Sequence, residues 1–511
     1  MHLRWAESGN LGTNAIVGGG VPMAAGAAWA HRRAGEGDVV YTYFGDGATN
    51  IGSVLETMNL AAAWKLPICF FIENNRYAVS THVEEVTAEP RLSSRGLAFG
   101  IPSFKVDGMD PIAVWLASEE ANAIMRAGNG PTIIEADVYR YFHQNGPLPG
   151  SAFGYRSKDE EAEWRGRDPL DALAKTLLER QALGEDAIKA LRERCVSLMD
   201  EVAGQLIEMR DGKRRIIPSL WPEESFRDFG LRGDLSEFDG VRFEEQESFS
   251  GKLVEDARFI DTVADVMARR METDERVVVL GEDVHRLKGG TNGATRGLSA
   301  DYPDRVLGTP ISENAFTGIA GGMAADGRVL PVIEIHVSGF HVGGCGSGVQ
   351  PDRQGAPHVR RRQRHAGGAA HQGCHGHGLR LAALHGPGRH FRSRPGWRIV
   401  APSTPFDYVG LMNSALLCRD RFWCWNTSIS THRRALPGRR FRLFHPARQG
   451  QGRSPRLQGN GADLSRHGRK NAGRRGGAWC RCGNRSICAR STVQVSIGKP
   501  SKPRSARPAM S

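Results

Sequence analysis

Apolar and polar positions follow two different periods along the first 150 residues. Residues 39–44 and 67–72 are apolar runs of strand length, and residues 51–65 between them carry apolar side chains at helical spacing. Strands that alternate with helices in this way predict a doubly wound parallel α/β sheet. Residues 1–34 are rich in Gly and Ala, and we expect them to form a closely packed helix that leads into the sheet.

A second set of elements follows further along the chain. Leucines at helical spacing predict a helix over residues 169–209. Residues 210–256 are polar in most positions and include two prolines, which is typical of a linker. Apolar patterns after the linker predict a second parallel sheet, with a helix at 261–272 and strands at 277–280 and 329–335.

Polar residues follow both predicted strands of the first sheet. Gly45-Asp46-Gly47 comes after the first strand, and Asn74-Asn75 ends the second. Carboxylate and amide oxygens are hard ligands for a divalent cation, and ligands of open α/β sheets bind at the carboxyl ends of the strands. Glycines allow the backbone to approach phosphate closely. The pattern predicts a diphosphate site with a metal ion, although Gly-Asp-Gly alone is also an ordinary turn.

The segment from Gly45 to Thr81, GDGATNIGSVLETMNLAAAWKLPICFFIENNRYAVST, resembles the thiamine-diphosphate motif of the 2-oxo acid dehydrogenase first component, α-type half. Residues 14–18 and 106–110 are also similar to that family. VLGEDV at residues 279–284 and GTPISENAFTGIAGGMA at residues 308–324 resemble its β-type half. The resemblance covers residues 1–340 and an island at residues 395–420. It implies two thiamine-diphosphate-binding sheets in one chain, the second of them incomplete.

The resemblance assigns a cofactor site to the first half. It implies that Asp46, Asn75 and the backbone carbonyl of Tyr77 hold Mg²⁺ against thiamine diphosphate. It also implies that Val17 lies at the centre of the cofactor, where an apolar side chain keeps thiamine bent. The implied cofactor-binding residues are Ile16, Val17, Gly45, Asp46, Gly47, Ala48, Asn75 and Tyr77.

Three further residues receive catalytic roles from the resemblance. Glu313 is implied to bind the aminopyrimidine ring, Glu282 to relay protons between paired sites, and His143 to act in acyl transfer. Each has a plainer interpretation. Glu313 could be a solvated helix cap, Glu282 with Asp283 an acidic helix start, and His143 a surface histidine or one whose hydrogen bonds are satisfied within the fold.

The resemblance also implies a reaction and partners. The family decarboxylates a 2-oxo acid, such as pyruvate or a branched-chain acid, and passes the acyl group to the lipoyl domain of a dihydrolipoyl acyltransferase. Acetoin dehydrogenase chemistry suits the same motifs. Because the family builds its sites between α-type and β-type domains, a homodimer of fused chains is expected. A reducing, cytoplasmic compartment follows from the unpaired Cys69 and Cys195, and neither a secretory leader nor a membrane span is predicted.

Charge divides the chain sharply near residue 340. Residues 1–340 carry 36 Lys and Arg against 52 Asp and Glu, whereas residues 341–511 carry 32 against 4, with no Glu. Seven of the nine cysteines also lie after residue 340. Three interpretations compete: a disordered basic tail that binds nucleic acid, a metal site around Cys374 or Cys480, and translation in a shifted reading frame.

The genetic code favours the shifted frame. Phe422-Trp423-Cys424-Trp425 followed by Asn426 has codons that, read one base earlier, must encode Leu-Val-Leu-Glu, an apolar strand of the family's type. We therefore expect out-of-frame translation at residues 341–394 and 421–511, with an in-frame island between them. Met1 falls inside a family motif, so an upstream segment is expected to be missing. These features predict an inactive remnant as the alternative to an active enzyme. The predicted units are 1–209, the linker 210–256, 257–340, 341–394, 395–420 and 421–511.

Overall fold

A computed structural model describes the chain in two α/β halves. The described residues are 4–13, 16–143, 146, 148–220, 235–241, 243–244, 246, 249, 257–286, 289–290, 293–335, 380–383, 397–402, 404–425 and 492–493. Asn14, Ala15 and the cysteines proposed for a metal site at 374 and 480 lie outside these residues, as does most of 341–394 and of 426–511.

The first half contains a four-stranded parallel sheet in the order β1-β2-β6-β5. Its four strands are β1 (Val40–Gly45), β2 (Ile68–Asn74), β5 (Ser103–Asp107) and β6 (Thr132–Asp137). A short antiparallel hairpin lies between β2 and β5 and consists of β3 (Tyr77–Ala78) and β4 (Thr81–His82). The helices up to β6 are α1 (Gly20–Ala34), α2 (Gly52–Ala63), α3 (Val83–Val86) and α4 (Pro111–Arg126). The sheet is parallel, as the alternating pattern predicted.

Local signals set where these elements begin and end. Asp110 caps α4 by accepting hydrogen bonds from the backbone N–H groups of Ile112 and Ala113, and Pro111 occupies the first turn. Helix α1 starts only at Gly20, because residues 17–19 form a turn in which Gly18 has a φ of 73°. The helix expected over residues 1–34 is therefore shorter than predicted.

Exposed helices follow the first sheet. They are α5 (Lys158–Arg165), α6 (Pro169–Glu179) and α7 (Glu185–Leu206), and the hairpin β7 (Ile207–Arg210) and β8 (Lys213–Ile216) comes next. The single helix predicted over 169–209 was wrong in extent. The chain turns at Gln181, whose φ is 55°, restarts beyond Gly184, and continues as a strand from Ile207. This hairpin also gives the predicted linker a regular start.

The second half contains a six-stranded parallel sheet in the order β11-β10-β12-β13-β15-β14. Its strands are β10 (Val277–Glu282), β11 (Val306–Thr309), β12 (Leu330–Ile335), β13 (Arg380–Ala383), β14 (Trp397–Val400) and β15 (Arg421–Trp425). Its helices are α8 (Phe259–Thr273), α9 (Leu298–Asp301), α10 (Glu313–Met323) and α11 (Pro405–Leu417). A separate pair joins β9 (Phe243–Glu244) to β16 (Thr492–Val493).

This sheet extends beyond the strands that the sequence predicted. Strand β13 comes from the 341–394 stretch, and β15 lies past the expected end of the island at residue 420. Alternation explains β15, because Phe422 and Cys424 are buried at period two and pack in the second core. The apolar pattern of Arg421–Trp425 is therefore suited to a strand in the frame that is translated, and not only in the shifted frame.

Helices α1 and α10 join the two halves through close backbone contact. A β-carbon on Gly26 would overlap the carbonyl oxygen of Ile319, and one on Gly322 would overlap that of Met23. Gly318 lies against the ring of Pro22. Residues of both helices therefore share one apolar core with the first sheet. Among the described helices, none has the length and apolar character needed to cross a bilayer.

Candidate diphosphate site and carboxyl pair

The carboxyl end of β1 presents a buried carboxylate. Asp46 is 4% exposed and begins a 3₁₀ turn that runs to Asn50. Burial raises the pKa of Asp46, while a backbone N–H and the electrostatic effect of the nearby Arg156 and His82 act in the opposite direction. The turn is close to the hairpin β3–β4, since a β-carbon on Gly47 would come within 2.8 Å of the Ala78 Cβ. Glycine at this position allows the two segments to meet.

The two asparagines at the end of β2 have different surroundings. Asn74 is 3% exposed, donates from Nδ2 to Glu135 Oε1 at 2.9 Å, and accepts at Oδ1 from the Arg76 N–H. Asn75 is half-buried, and its Oδ1 accepts from the Tyr77 N–H at 3.0 Å and from Arg156 Nη2 at 3.3 Å. Asn74 is therefore held inside the sheet edge, and Asn75 is the more exposed of the two asparagines.

Glu135 fixes the orientation of Asn74 from the neighbouring strand β6. Its side chain is fully buried, accepts from the Ser93 N–H at 2.7 Å, and lies 3.5 Å from Lys105 Nζ. Burial alone raises its pKa, but the hydrogen bonds from Ser93 and Asn74 and the charge of Lys105 outweigh burial, so the pKa lies below its ordinary value. This carboxylate supports the site without facing it.

Residues 16–18 lie next to the start of α2. Gly18 packs against Ile51 and Val54, which flank and begin that helix. Ile16 is half-buried, whereas the Val17 side chain is 61% exposed. The turn thus brings Val17 to the same side of the sheet as the turn that starts at Asp46, with an apolar side chain available for contact.

The second half contributes a carboxyl pair. Glu282 ends β10 and Glu313 starts α10, and both are partly buried. Burial first, and then the negative charges of Glu313 and Asp283 and a hydrogen bond with the Glu313 side chain, raise the pKa of Glu282 to about 7. Near neutral pH the pair can therefore hold one proton between two carboxyl groups. Ser312 makes no side-chain cap to α10, so the helix start is not an ordinary capped turn.

A third carboxylate reaches this pair from the first half. Oε2 of Glu56, on α2, accepts the backbone N–H of Ala315 at 3.1 Å. Burial and the nearby charge of Glu313 raise the pKa of Glu56, while the Ala315 N–H opposes them. The fold therefore brings Glu56, Glu282 and Glu313 into one acidic group.

His143 occupies the loop after β6. It is 8% exposed, and its backbone N–H donates to the carbonyl of Leu148 at 2.8 Å. The centre of its ring lies 4.5 Å from the centre of the Phe153 ring. The ring also lies 6.2 Å from Tyr155, whose neighbour Arg156 reaches Asn75. Burial contradicts a surface position for His143, and the alternative of a histidine satisfied within the fold stays open beside the catalytic prediction.

The residues at the first sheet fit a divalent cation with a bound diphosphate. Asp46 has a buried carboxylate, and the Asn75 amide oxygen and the Tyr77 carbonyl are further hard oxygen donors of the kind that such a cation prefers. Gly47 leaves room for close backbone approach. Their assignment to the cofactor stays a prediction. Sequence reasoning missed Arg156, His82, Glu56 and Glu135. Of these, only Glu56 lay inside a motif that the sequence had already marked.

Comparisons with known proteins match each half to a separate family. Residues 1–205 match the family described as "Dehydrogenase E1 component", and residues 256–425 match "Transketolase, pyrimidine binding domain". Among solved structures, a transketolase from Leishmania mexicana aligns with a TM-score of 0.48 and 16% identity, over 81% of this chain and 61% of that one.

Curated relatives cover the first half. The pyruvate dehydrogenase E1 component subunit alpha of Rhizobium meliloti is 42% identical over 192 residues, 37% of this chain and 54% of the relative. The corresponding subunit of Zymomonas mobilis is 44% identical over 178 residues, 35% of this chain and 49% of the relative. The chain thus spans about half the length of these relatives. The two family matches, together with these relatives, support a similarity to the thiamine-diphosphate-dependent 2-oxo acid dehydrogenase first components, and their order in one polypeptide fits a fusion of an α-type and a β-type half.

Proposed function

We propose that this chain catalyses the oxidative decarboxylation of a 2-oxo acid with thiamine diphosphate and Mg²⁺, and transfers the acyl group to a lipoyl domain of a dihydrolipoyl acyltransferase. The observation that carries the proposal is the joint presence of a buried carboxylate, Asp46, and of two neighbouring carboxyl groups, Glu282 and Glu313, in halves that pack directly together. Thiamine diphosphate, when bound, supplies a carbon nucleophile and an electron sink for the decarboxylation.

The chain's own residues have distinct roles in this proposal. Asp46, Asn75 and the Tyr77 carbonyl hold Mg²⁺ against the diphosphate. Glu313 hydrogen-bonds the aminopyrimidine ring, and Glu282, whose pKa is about 7, keeps a proton available to Glu313 at neutral pH. His143 hydrogen-bonds the acyl acceptor when the lipoyl arm enters.

The metal and cofactor assignments are tested on the full chain by calorimetric titration with thiamine diphosphate, with and without Mg²⁺. The wild type should bind only when Mg²⁺ is present, and Asp46→Asn should lose this binding. The conservative change Asp107→Asn, at the end of the neighbouring strand β5, serves as the matched control. Equal binding by wild type and Asp46→Asn would rule out the metal site.

Pyruvate is the preferred substrate in this proposal, with branched-chain 2-oxo acids as the competing class. The relatives named as pyruvate dehydrogenase subunits favour it. Decarboxylation is measured with each acid in turn and ferricyanide as the electron acceptor. Turnover of the branched-chain acids without turnover of pyruvate would make the branched-chain acids the preferred substrate class. Cytoplasmic location and a homodimer of fused chains belong to the same proposal.

The charge division near residue 340 favours a second candidate, an inactive remnant translated out of frame beyond that point. Resequencing the gene through the codons for residues 340–426 decides between the two. A closed single frame supports the active enzyme. Confirmed shifts, together with absence of thiamine-dependent decarboxylation by the purified chain, support the remnant. Salt-sensitive binding of nucleic acid carried by residues 421–511 would instead support the basic-tail interpretation.

A further inference from the structure

Tyr77 is enclosed between two basic side chains. The guanidinium carbon of Arg156 lies 4.6 Å from the centre of its ring, and the His82 ring lies edge-on at 4.9 Å with an interplanar angle of 77°. Strand pairing fixes one of these contacts, because Tyr77 and His82 are partners in the β3–β4 hairpin. The Tyr77 N–H donates to Asn75 Oδ1 at 3.0 Å, so the ring and the two basic side chains lie beside a predicted metal ligand.

Arg156 is a buried cation whose closest contacts are aromatic rings and neutral oxygens. The residue is 3% exposed and packs on Tyr77, Tyr139 and Tyr155. Nη1 donates to the carbonyl of Arg140 at 2.6 Å and Nη2 to Asn75 Oδ1 at 3.3 Å. Nε is buried without a hydrogen-bond partner among the described residues.

No carboxylate of the described residues comes within 4 Å of this guanidinium, in contrast to Arg165, which contacts Glu161 at 2.9 Å. A buried charge without an ion-pair partner is unfavourable unless a ligand supplies the opposite charge. A planar guanidinium with a free N–H matches phosphate oxygens in particular. The position of Arg156 beside Asn75 therefore indicates an anionic ligand at the metal site.

The hydrogen bonding of His82, the last residue of the hairpin, shows which of its ring nitrogens can donate. Its Nδ1 accepts the backbone N–H of Glu84 at 3.3 Å, so Nε2 is the ring nitrogen that can donate to a ligand oxygen. His82 and Arg156 flank the ring of Tyr77, whose carbonyl belongs to the predicted metal ligands.

We propose that Arg156 and His82 bind the diphosphate of the cofactor on the side opposite the metal, and that Arg156 Nη2 exchanges Asn75 Oδ1 for a phosphate oxygen when Mg²⁺ binds. This inference rests on the proposed function. Asn75 Oδ1 accepts from Arg156 in the ligand-free arrangement, and a metal ion at that oxygen repels the guanidinium. The contacts to the three tyrosine rings keep the guanidinium next to the site during the exchange.

The test is calorimetric titration of the full chain with Mg²⁺-thiamine diphosphate, and separately with Mg²⁺-pyrophosphate. Arg156→Met should weaken both affinities about 100-fold, Arg156→Lys about 10-fold because the charge remains without the fork, and His82→Gln about 3- to 10-fold. Arg165→Met is the matched control, since Arg165 also stacks on a tyrosine, Tyr141, at 4.7 Å, and should bind like the wild type. Binding of thiamine without phosphate should be unchanged in all four variants.

Several results would overturn the inference. Wild-type affinity for pyrophosphate in Arg156→Met with unchanged thermal unfolding assigns the residue to packing alone. If Arg156→Met loses affinity for thiamine without phosphate to the same extent, the residue does not contact the diphosphate. If Arg156→Met does not fold, Arg156→Lys and His82→Gln decide, and wild-type binding by both rejects the proposal. Failure of the wild type to bind thiamine diphosphate rejects the proposed function together with this inference, whereas binding that the variants do not weaken rejects this inference alone.

Discussion

The backbone N–H of Ala315 donates a 3.1 Å hydrogen bond to Oε2 of Glu56, across 259 residues of sequence. Glu56 belongs to α2 of the first half, and Ala315 to the first turn of α10 in the second half. A carboxylate near a helix N-terminus is favoured by the unpaired N–H groups there. The contact holds Glu313, the start of α10, against the half that carries the turn predicted to bind metal.

Replacing Glu56 should loosen this junction. Glu56→Ala is expected to lower the free energy of unfolding by about 1–2 kcal/mol, because a charged acceptor of a helix-terminal N–H is lost. Urea denaturation measures the change. Glu84→Ala, an exposed carboxylate in the same half, is the control and should stay within about 0.5 kcal/mol of the wild type. Equal stability of Glu56→Ala and the wild type would contradict the contact.

Glycines between α1 and α10 should tolerate no side chain. Gly26→Ala and Gly322→Ala are each expected to destabilise the chain by about 1–3 kcal/mol, because the new methyl meets helix backbone, which cannot move aside as a side chain can. Gly204→Ala in α7 is the matched control. Its β-carbon meets open space, so alanine there should stabilise the chain by about 0.5–1 kcal/mol. Thermal unfolding of the three variants checks the order, and a stabilising Gly26→Ala would show that the helices are further apart.

The pKa of Glu282 should depend on Glu313. Removing the negative charge in Glu313→Gln is expected to lower the Glu282 pKa from about 7, yet leave it above 4.5, because burial is its largest cause. Asp283→Asn should lower it by a smaller amount. Carboxyl ¹³C NMR of labelled protein across pH 4–9 measures both shifts. An unchanged pKa in Glu313→Gln would mean that the two carboxyl groups do not meet.

Glu135 should make the first sheet sensitive to acid. Its pKa is lowered in the folded chain, so the stability it contributes is present above the unfolded value near 4.5 and is lost as pH falls through the lower folded value. Glu135→Gln should therefore be less stable than the wild type at pH 7 by about 1–3 kcal/mol. The difference should shrink below pH 4.5, as measured by urea denaturation at both pH values. Glu73→Gln, exposed on the neighbouring strand, should show no such convergence.

The sequence determined much of the fold by local pattern. Strand and helix periods predicted both parallel sheets, and the ends of β1 and β2 fall within two residues of the predicted bounds. Asp46 and the paired asparagines could be identified because the motif is continuous and its chemistry depends on residue type. The helix over 169–209 failed because a single left-handed residue, Gln181, breaks it, and helical spacing does not reveal such a turn.

Tertiary structure alone decided which charged side chains form hydrogen bonds with which distant polar groups. Arg156 lies 81 residues from Asn75 in sequence, and only the packing of its loop against the tyrosines brings their side chains together. The same holds for Glu56 with Ala315, and for Glu135 with Asn74. The sequence specifies which groups can bind a metal or share a proton. Their protonation and partners depend on burial and on distance, which exist only once the two halves are folded against each other.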